Sequence, residues 1–298
     1  KPIHMDTKAL LLVIVGYFFL FVQTELSAQV DPCSECDNWK QEHPEWILCE
    51  DFEDYDGNFD EWYESSQWLT EPKFLTEGRT TITDKEKFAG DYALYMPAAP
   101  EANYKGSELS WFNCKSEKRI NCKLEGYEKL YLRTYFKFAK DHRHVHHFIG
   151  IAGSQPDGFW TMGMAGCRPN GTVYARTEVG YNSETRESHF YTYSIDMKCD
   201  PGPICDRYND ATAICEQCAR KGLPCENGEE CCWGNHYSAD PPVKIPKGEW
   251  VCFEMMMQLN DPGKKNGSMA YWINGELAHK QIGMYWRKIP EIKLNRIE

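Results

Sequence analysis

The sequence has only one long apolar run and little helical periodicity. The run extends from Ala9 to Val22 and is shorter than the roughly 20 residues that a bilayer-spanning helix needs. A glycine-rich phosphate loop, a nucleotide-binding pattern and a serine-nucleophile elbow are all missing. These absences count against a membrane-spanning protein, a nucleotide-dependent enzyme and a serine hydrolase of the elbow type.

Basic residues are outnumbered by acidic ones. The chain has 33 Lys and Arg against 45 Asp and Glu, which gives a formal net charge of −12. Such a surface does not attract the phosphate backbone, so we expect no nucleic-acid partner. Net charge does not count against sugars, because their recognition depends on local groups.

The N-terminal residues are typical of an export signal. Lys8 supplies a positive charge, the run to Val22 supplies a short apolar core, and Ala28 supplies a small residue at the exit. We therefore predict a signal peptide over residues 1–28, with an uncleaved membrane anchor as the alternative. The mature chain would be secreted, extracellular or periplasmic, with no membrane contact. It is predicted to hold an N-terminal Cys-containing segment at 29–48 and one large domain at 49–298.

All 14 cysteines follow this segment, and in an oxidising compartment we expect them to be paired. Seven fall in a polar stretch that we interpret as a disulfide-stapled insert at 199–237: Cys199, Cys205, Cys215, Cys218, Cys225, Cys231 and Cys232. Because seven is odd, at least one disulfide must join the insert to the rest of the domain. The alternative, which export and the even total disfavour, is zinc ligation by six residues of the insert: Cys215, Cys218, Cys225, Cys231, Cys232 and His236.

Short strand-like stretches, divided by Gly, Pro, Asn and Asp, predict an all-β sandwich or barrel. The clearest runs from Leu130 to Phe138, with Tyr131, Arg133, Tyr135 and Lys137 on its polar face. Further strands are predicted at 145–151, 173–179 and 189–195. The C-terminal part is predicted to form hairpins, with Val251, Phe253, Met255, Met257 and Leu259 pointing inward and a tight turn at Asn274-Gly275.

Four segments together resemble secreted concanavalin A-like jelly-roll sandwiches of the polysaccharide-lyase type. They are Cys-Glu-Asp-Phe-Glu at 49–53, Phe-Ala-Gly-Asp-Tyr-Ala-Leu at 88–94, the strand at 131–138 that continues to His-His-Phe at 146–148, and the hairpins at 248–275. The resemblance implies an opening strand at 49–53, a polysaccharide or other glycan as partner, and no required cofactor. Such domains usually end in a strand that pairs with the first. Because the chain stops at Ile297-Glu298, we expect a C-terminal truncation that leaves the first strand partly unpaired.

A lyase acting on uronic acids must neutralise the carboxylate, remove the C5 proton and protonate the leaving O4. The histidine-rich segment at 141–148 is the densest candidate, and alternation predicts His144 and His146 on one face with Val145, His147 and Ile149 on the other. His144-Val145-His146 is similar to the Gln-Ile/Val-His strand of alginate-lyase-type sandwiches. The similarity implies His146 as base or neutraliser, while His144 stands where that motif has Gln. A surface histidine strand and a shared metal ion are the alternatives.

The next two strands offer further candidates. Arg176-Thr177-Glu178 is similar to the Arg-x-Glu strand of alginate lyases, although there it precedes the His strand. In the strand that follows, tyrosine rings suit sugar stacking and proton transfer. We predict five catalytic residues: His144, His146, Arg176, Tyr191 and Tyr193. We predict six substrate-binding residues: Arg133, Tyr135, Lys137, Tyr174, Glu178 and His189. Solvated ion pairs and half-buried aromatic strands are the alternatives.

Three weaker signals complete the analysis. Asp51 and Glu53 are predicted to hold a structural Ca²⁺, since oxygen ligands suit a hard cation. Asn170 and Asn266 match the glycosylation pattern, but each is followed by Gly, which favours a turn. The Glu-x-Asp-x-x-Glu strand of glycoside hydrolases is absent, which disfavours hydrolysis.

Three functional hypotheses follow from these patterns. The first is a polysaccharide lyase that cleaves an anionic polysaccharide by β-elimination. The second is a non-catalytic carbohydrate-binding or adhesion module on the same sandwich. The third is a structural extracellular protein whose Cys-rich insert is the functional part.

Overall fold

The structure is a computed structural model that describes residues 35–97, 106–115, 120–142, 145–161, 165–182, 184–201, 211–220, 222–223 and 230–298. The predicted signal peptide at 1–28 and the predicted catalytic residue His144 lie outside these ranges. His146 lies in a strand, and only its backbone is described. No helix within the described ranges has both the length and the apolar character needed to cross a bilayer.

The larger sheet has seven antiparallel strands, in the order β1-β4-β15-β6-β7-β8-β11. Their bounds are β1 Trp68–Leu69, β4 Ser110–Phe112, β6 Val145–Ser154, β7 Tyr174–Tyr181, β8 Ser188–Tyr193, β11 Asn235–Tyr237 and β15 Lys293–Ile297. The predicted strands at 145–151, 173–179 and 189–195 are therefore neighbours in space.

The second sheet has four antiparallel strands in the order β14-β13-β12-β5, and two strand pairs lie outside both sheets. The four strands are β5 Lys129–Phe136, β12 Val251–Gln258, β13 Gly267–Ile273 and β14 Glu276–Met284. The pairs are β2 Thr81–Thr83 with β3 Ala93–Tyr95, and β9 Asp200–Pro201 with β10 Glu230–Cys231. The helices are α1 Trp39–Glu42, α2 Phe59–Ser65, α3 Pro72–Thr76 and α4 Ala211–Arg220, with a 3₁₀ turn at Asp54–Gly57.

The main core lies between the two sheets, so the prediction of an all-β sandwich is confirmed. Alternate side chains of β12 are completely buried in this core, and those predicted to point inward do so: Val251, Phe253, Met255, Met257 and Leu259. The hairpin between β13 and β14 turns at Asn274 and Gly275, whose φ values of 52° and 81° are those of a two-residue hairpin turn. Apolar alternation therefore determines which face of each strand is left for function.

The opening strand at 49–53, which the resemblance implied, needs correction. Residues 49–53 form no strand, and Phe52 has a φ of 65° that a strand does not allow. The expected exposed edge along an opening strand at 49–53 is therefore not found. Near the other terminus, Lys293–Ile297 forms β15, which pairs with β4 on one side and β6 on the other. This strand lies inside the larger sheet.

The disulfides include the predicted bridge between the insert and the rest of the domain. Cys167 of the sandwich pairs with Cys218 of the insert, which is the predicted bridge between the two. The others with two described partners are Cys36–Cys49, Cys114–Cys122 and Cys199–Cys232, and Cys231 is also disulfide-bonded. The zinc alternative is therefore wrong for Cys218, Cys231 and Cys232, because their sulfurs are in disulfides. The expectation of complete pairing fails at Cys252, a free and half-buried thiol.

Candidate active site

The outer face of the larger sheet collects most of the predicted site residues. In β7, Ala175 and Val179 point into the core, and the Thr177 hydroxyl lies 3.1 Å from the Met269 sulfur of the opposite sheet. Strand alternation therefore places Tyr174, Arg176 and Glu178 on the outer face.

Strand β8 continues this face. Phe190 belongs to the core, and the Thr192 hydroxyl contacts the buried Trp286 indole, so His189, Tyr191 and Tyr193 point outward. In the ladder, Tyr191 lies opposite Glu178, and Tyr193 lies opposite Arg176. The structure thus brings together six residues that the sequence predicted on two separate strands.

The histidine strand departs from simple alternation. Val145 pairs with Tyr181, and Ile149 pairs with Val179. Between these two pairs β6 advances by four residues, whereas β7 advances by only two. This bulge places both Phe148 and Ile149 against the core. It also turns His147 outward, where its Nδ1 lies 2.5 Å from Oε1 of Glu178. The prediction that His147 and Ile149 lie on the same face of the strand is therefore wrong.

His147 and Glu178 form an exposed–buried pair. The His147 side chain is 47% exposed, whereas the Glu178 side chain is only 2% exposed. The Tyr191 ring stands edge-on to His147, with the ring centroids 5.6 Å apart. A solvent-facing imidazole is thus held by a buried carboxylate on one side and an aromatic ring on the other.

Arg176 lies beneath this pair and holds two carboxylates. Its Nη2 is 2.7 Å from Oε2 of Glu178 and 2.8 Å from Oε2 of Glu298. Burial would lower the pKa of Arg176, but the two carboxylates outweigh burial and raise it, so the guanidinium stays charged. The predicted catalytic role of Arg176 stays a prediction, and its contacts show that it positions Glu178.

The two tyrosines of β8 are covered rather than open to solvent. The hydroxyls of Tyr191 and Tyr193 are 3.1 Å apart, and the two residues are only 4% and 6% exposed. Burial raises the pKa of both phenols, so both keep their protons at neutral pH. Tyr174 is also buried, and its hydroxyl lies 3.2 Å from Oε1 of Glu298.

The cover is the Cys-rich insert. A second apolar cluster joins the outer face to the insert, and its members are Ala152, Cys167, Tyr174, Tyr191, Tyr193, Met197, Cys218, Leu223, Cys231 and Cys232. Gly234 lies directly against the Tyr191 ring, since a Cβ at this position would come within 2.6 Å of three ring atoms. The insert therefore closes one part of the face and leaves His147 exposed beside it.

Beyond Tyr191, the insert contributes a residue of its own to the face. His236 of β11 stacks on His189 with ring centroids 4.3 Å apart, and its ring is 5.5 Å from that of Tyr191. Sequence reasoning considered His236 only as a zinc ligand and missed this placement. The signal that was available is the strand-like stretch at 235–237, which is hidden within the polar insert.

Three predicted substrate-binding residues lie on the other side of the molecule. Arg133, Tyr135 and Lys137 follow the outer face of the four-stranded sheet, because Leu130 and Leu132 of the same strand face the core. Each charge is compensated there: Arg133 pairs with Glu35 at 2.9 Å and Glu254 at 3.4 Å, and Lys137 with Glu86 at 2.6 Å. Tyr135 stacks on Phe88. The structure does not bring these three residues together with His147.

The predicted Ca²⁺ ligands have protein partners. Both carboxylate oxygens of Glu53 accept the amide proton of Asp91, and Oε1 also accepts that of Tyr92. The Asp51 carboxylate accepts the amide proton of Glu53. In the described part of the chain, no three or more His, Cys, Asp or Glu side chains are grouped as a metal site would need. Calcium binding at 51–53 stays a prediction.

No protein-family model matches the chain, and no curated protein matches it significantly. Solved structures do match, and among them are three polysaccharide lyases. Alginate lyase vAL-1 from Chlorella virus is 13% identical, with 77% of this chain and 87% of that chain covered and a TM-score of 0.44. The marine alginate lyase from Aplysia kurodai is 10% identical, with 74% of this chain and 76% of that chain covered and a TM-score of 0.43. The endo-β-1,4-glucuronan lyase from the fungus Trichoderma reesei is 9% identical, with 73% of this chain and 72% of that chain covered and a TM-score of 0.36.

Proposed function

We propose that the protein is a secreted polysaccharide lyase that cleaves an anionic polysaccharide by β-elimination, with His147 as the group that transfers the proton. The observation that carries this proposal is the exposed His147 imidazole, paired at 2.5 Å with the buried Glu178 carboxylate on the outer face of the larger sheet. Histidine with an orienting carboxylate is a recurrent arrangement for a general base.

Glu178 determines which nitrogen of His147 carries the proton. A carboxylate paired with Arg176 only accepts hydrogen bonds, so the proton of the His147 contact belongs on Nδ1. Nε2 then holds the lone pair with which the imidazole accepts a proton. In the proposed reaction, Nε2 takes the C5 proton of a uronate, a double bond forms between C4 and C5, and the bond from C4 to the leaving oxygen breaks.

The burial of Tyr191 and Tyr193 bears on the stereochemistry of the reaction. Because the insert covers both phenols, the proposed reaction assigns both proton transfers to His147: its imidazole takes the proton from C5 and returns it to O4. One group serves both atoms only when the C5 hydrogen and O4 lie on the same side of the sugar ring. Mannuronate and glucuronate have this arrangement, whereas guluronate and galacturonate have the opposite one. We therefore expect the first two to be cleaved faster.

The test is an ultraviolet assay for unsaturated uronides with four substrates: polymannuronate, glucuronan, polyguluronate and polygalacturonate. Wild type and His147→Gln are compared, and the replacement is expected to lower kcat by at least about 100-fold. His43→Gln is the matched control, because His43 also lies near a carboxylate, 3.8 Å from Glu45, but belongs to the N-terminal region. Equal rates for wild type and His147→Gln would contradict the role of His147.

A carbohydrate-binding module on the same sandwich is the second candidate. This candidate is favoured because Arg176 pairs with two protein carboxylates, which gives this cation a structural role in the site rather than a catalytic one. This candidate predicts that acidic polysaccharides retain the wild-type chain on a glycan array while none of the four substrates gives ultraviolet-absorbing product.

A further inference from the structure

A surface cleft next to the candidate site is built mostly by the insert. It measures about 440 Å³ and is lined by Lys198, Trp233, Gly234, Asn235, His236 and Tyr237. This volume falls within the range of clefts that hold small ligands. The lining combines a cation, an indole and hydrogen-bonding groups.

We propose that this cleft binds one uronate residue of the polysaccharide, with the Lys198 ammonium on the sugar carboxylate and the Trp233 indole against the ring. The inference takes its substrate class from the proposed function, but it depends on its own contacts. A flat aromatic side chain buries the apolar face of a pyranose and leaves the hydroxyls free for hydrogen bonds. A lysine ammonium is a mobile point charge suited to a carboxylate.

The charge distribution favours an anionic sugar over a neutral one. None of the six described residues that line the cleft is acidic, and Lys198 is exposed and forms no ion pair with any residue that the structure describes. Asp196 and Asp200 are the nearest acids along the chain, each two residues from Lys198, and Asp196 is already compensated by Lys265 at 2.6 Å. In a chain of net charge −12, this local cation provides attraction that the overall charge does not.

The two walls of the cleft are fixed before any ligand arrives. Lys198 precedes Cys199 and Trp233 follows Cys232, and these two cysteines form a disulfide with their Cα atoms 4.4 Å apart. The Asn235 side chain joins the walls again: its Oδ1 accepts the amide proton of Lys198, and its Nδ2 donates to the Lys198 carbonyl, each at 2.9 Å. A preorganised cleft avoids much of the ordering cost of binding.

The cleft lies close to the candidate base. His236 lines the cleft, its ring is 5.5 Å from that of Tyr191, and the Tyr191 ring is 5.6 Å from that of His147. A polysaccharide lying across the strands of the larger sheet would therefore meet both places. A second cleft, of about 310 Å³, has two acids, Glu125 and Glu291, and one base, Lys293, among its lining residues, and this net negative charge disfavours an anionic sugar.

The experiment is isothermal titration calorimetry on the full chain carrying His147→Gln, which prevents turnover. The probes are the tetrasaccharides of mannuronate and glucuronate, each with its carboxyl-reduced, neutral counterpart. Adding Lys198→Met should weaken binding of the acidic tetrasaccharides about 10-fold to 100-fold and leave the neutral ones unchanged. Lys280→Met, an exposed lysine on the four-stranded sheet, should change neither.

Trp233→Ala should weaken acidic and neutral tetrasaccharides alike by at least tenfold, and Trp233→Phe should restore most of the affinity, with equal melting temperatures as the check on folding. The cleft is refuted if neither acidic tetrasaccharide binds, or if Lys198→Met and Trp233→Ala leave the affinities unchanged. Selective weakening by Lys198→Met without any elimination by the wild type would support the cleft and contradict the lyase proposal. Elimination with an unchanged KM in both variants would refute the cleft alone.

Discussion

Glu178→Gln separates the structural role of the buried ion pairs from their role in proton transfer. The wild-type carboxylate contacts Nδ1 of His147 at 2.5 Å and Nη2 of Arg176 at 2.7 Å, with its own side chain 2% exposed. Glutamine keeps the volume but removes the charge. Its amide group, unlike the carboxylate, is able to donate to Nδ1 and stabilise the other tautomer of His147.

The expected loss of stability follows from burial. Removing one partner of a buried ion pair costs about 3–5 kcal/mol, and the lower end applies because Arg176 keeps Glu298 at 2.8 Å. For a domain of this size, about 3 kcal/mol corresponds to a fall in melting temperature of roughly 6–12 °C. A wrongly oriented or wrongly protonated base should also lower kcat by about 10²–10⁴.

Glu298→Gln is the matched variant. Glu298 pairs with the same Arg176 and with Arg296 at 3.4 Å, and no contact with His147 is found for it in the described residues. Thermal melts and initial rates on one substrate compare the two variants. Both should melt earlier, but only Glu178→Gln should lose most of its kcat. Equal kcat losses, or a Glu178→Gln enzyme within about twofold of wild type, would refute the reasoning.

Three further predictions concern stability and the insert. Burial would raise the pKa of Glu298, but the two arginine partners hold this pKa below the usual value of 4.5. The stability that Glu298 contributes is therefore present above pH 4.5 and is lost as the pH falls through the folded-state pKa. Glu298→Gln should accordingly flatten the acid side of a curve of unfolding free energy against pH. Replacing Cys167 and Cys218 by alanine opens a loop of 51 residues, which should cost about 4 kcal/mol and speed hydrogen exchange in β8 relative to β12. Gly234→Ala should lower the melting temperature by overpacking Tyr191, whereas Gly106→Ala, with open space around it, should not.

Regular strand ladders made much of this fold predictable from the sequence. Alternation around Phe190 and Val179 is unbroken, so the outward direction of Arg176 and Tyr191 follows from local pattern alone. The odd number of cysteines in the insert likewise required a bridge to the sandwich, and Cys167–Cys218 is that bridge.

Features that depend on distant contacts were not predictable in this way. The bulge that turns His147 outward is defined by the pairing of β6 with β7, and nothing between Val145 and Ile149 signals it. The odd number of cysteines in the insert predicted a bridge to the sandwich, but it did not predict where the insert lies. The burial of Tyr191 beneath Gly234 was therefore not predicted. The opening strand at 49–53 was expected from the resemblance alone, and these residues form no strand.

The chemical structure of the product tests the central claim most directly. Wild type and His147→Gln are incubated with polymannuronate and glucuronan, and the new chain ends are examined by proton NMR. The proposed proton transfer predicts a vinyl H4 signal from a 4,5-unsaturated uronate with wild type, and none above background with His147→Gln. Saturated ends from hydrolysis, unsaturated ends that form equally without His147, or no cleavage by wild type would contradict it.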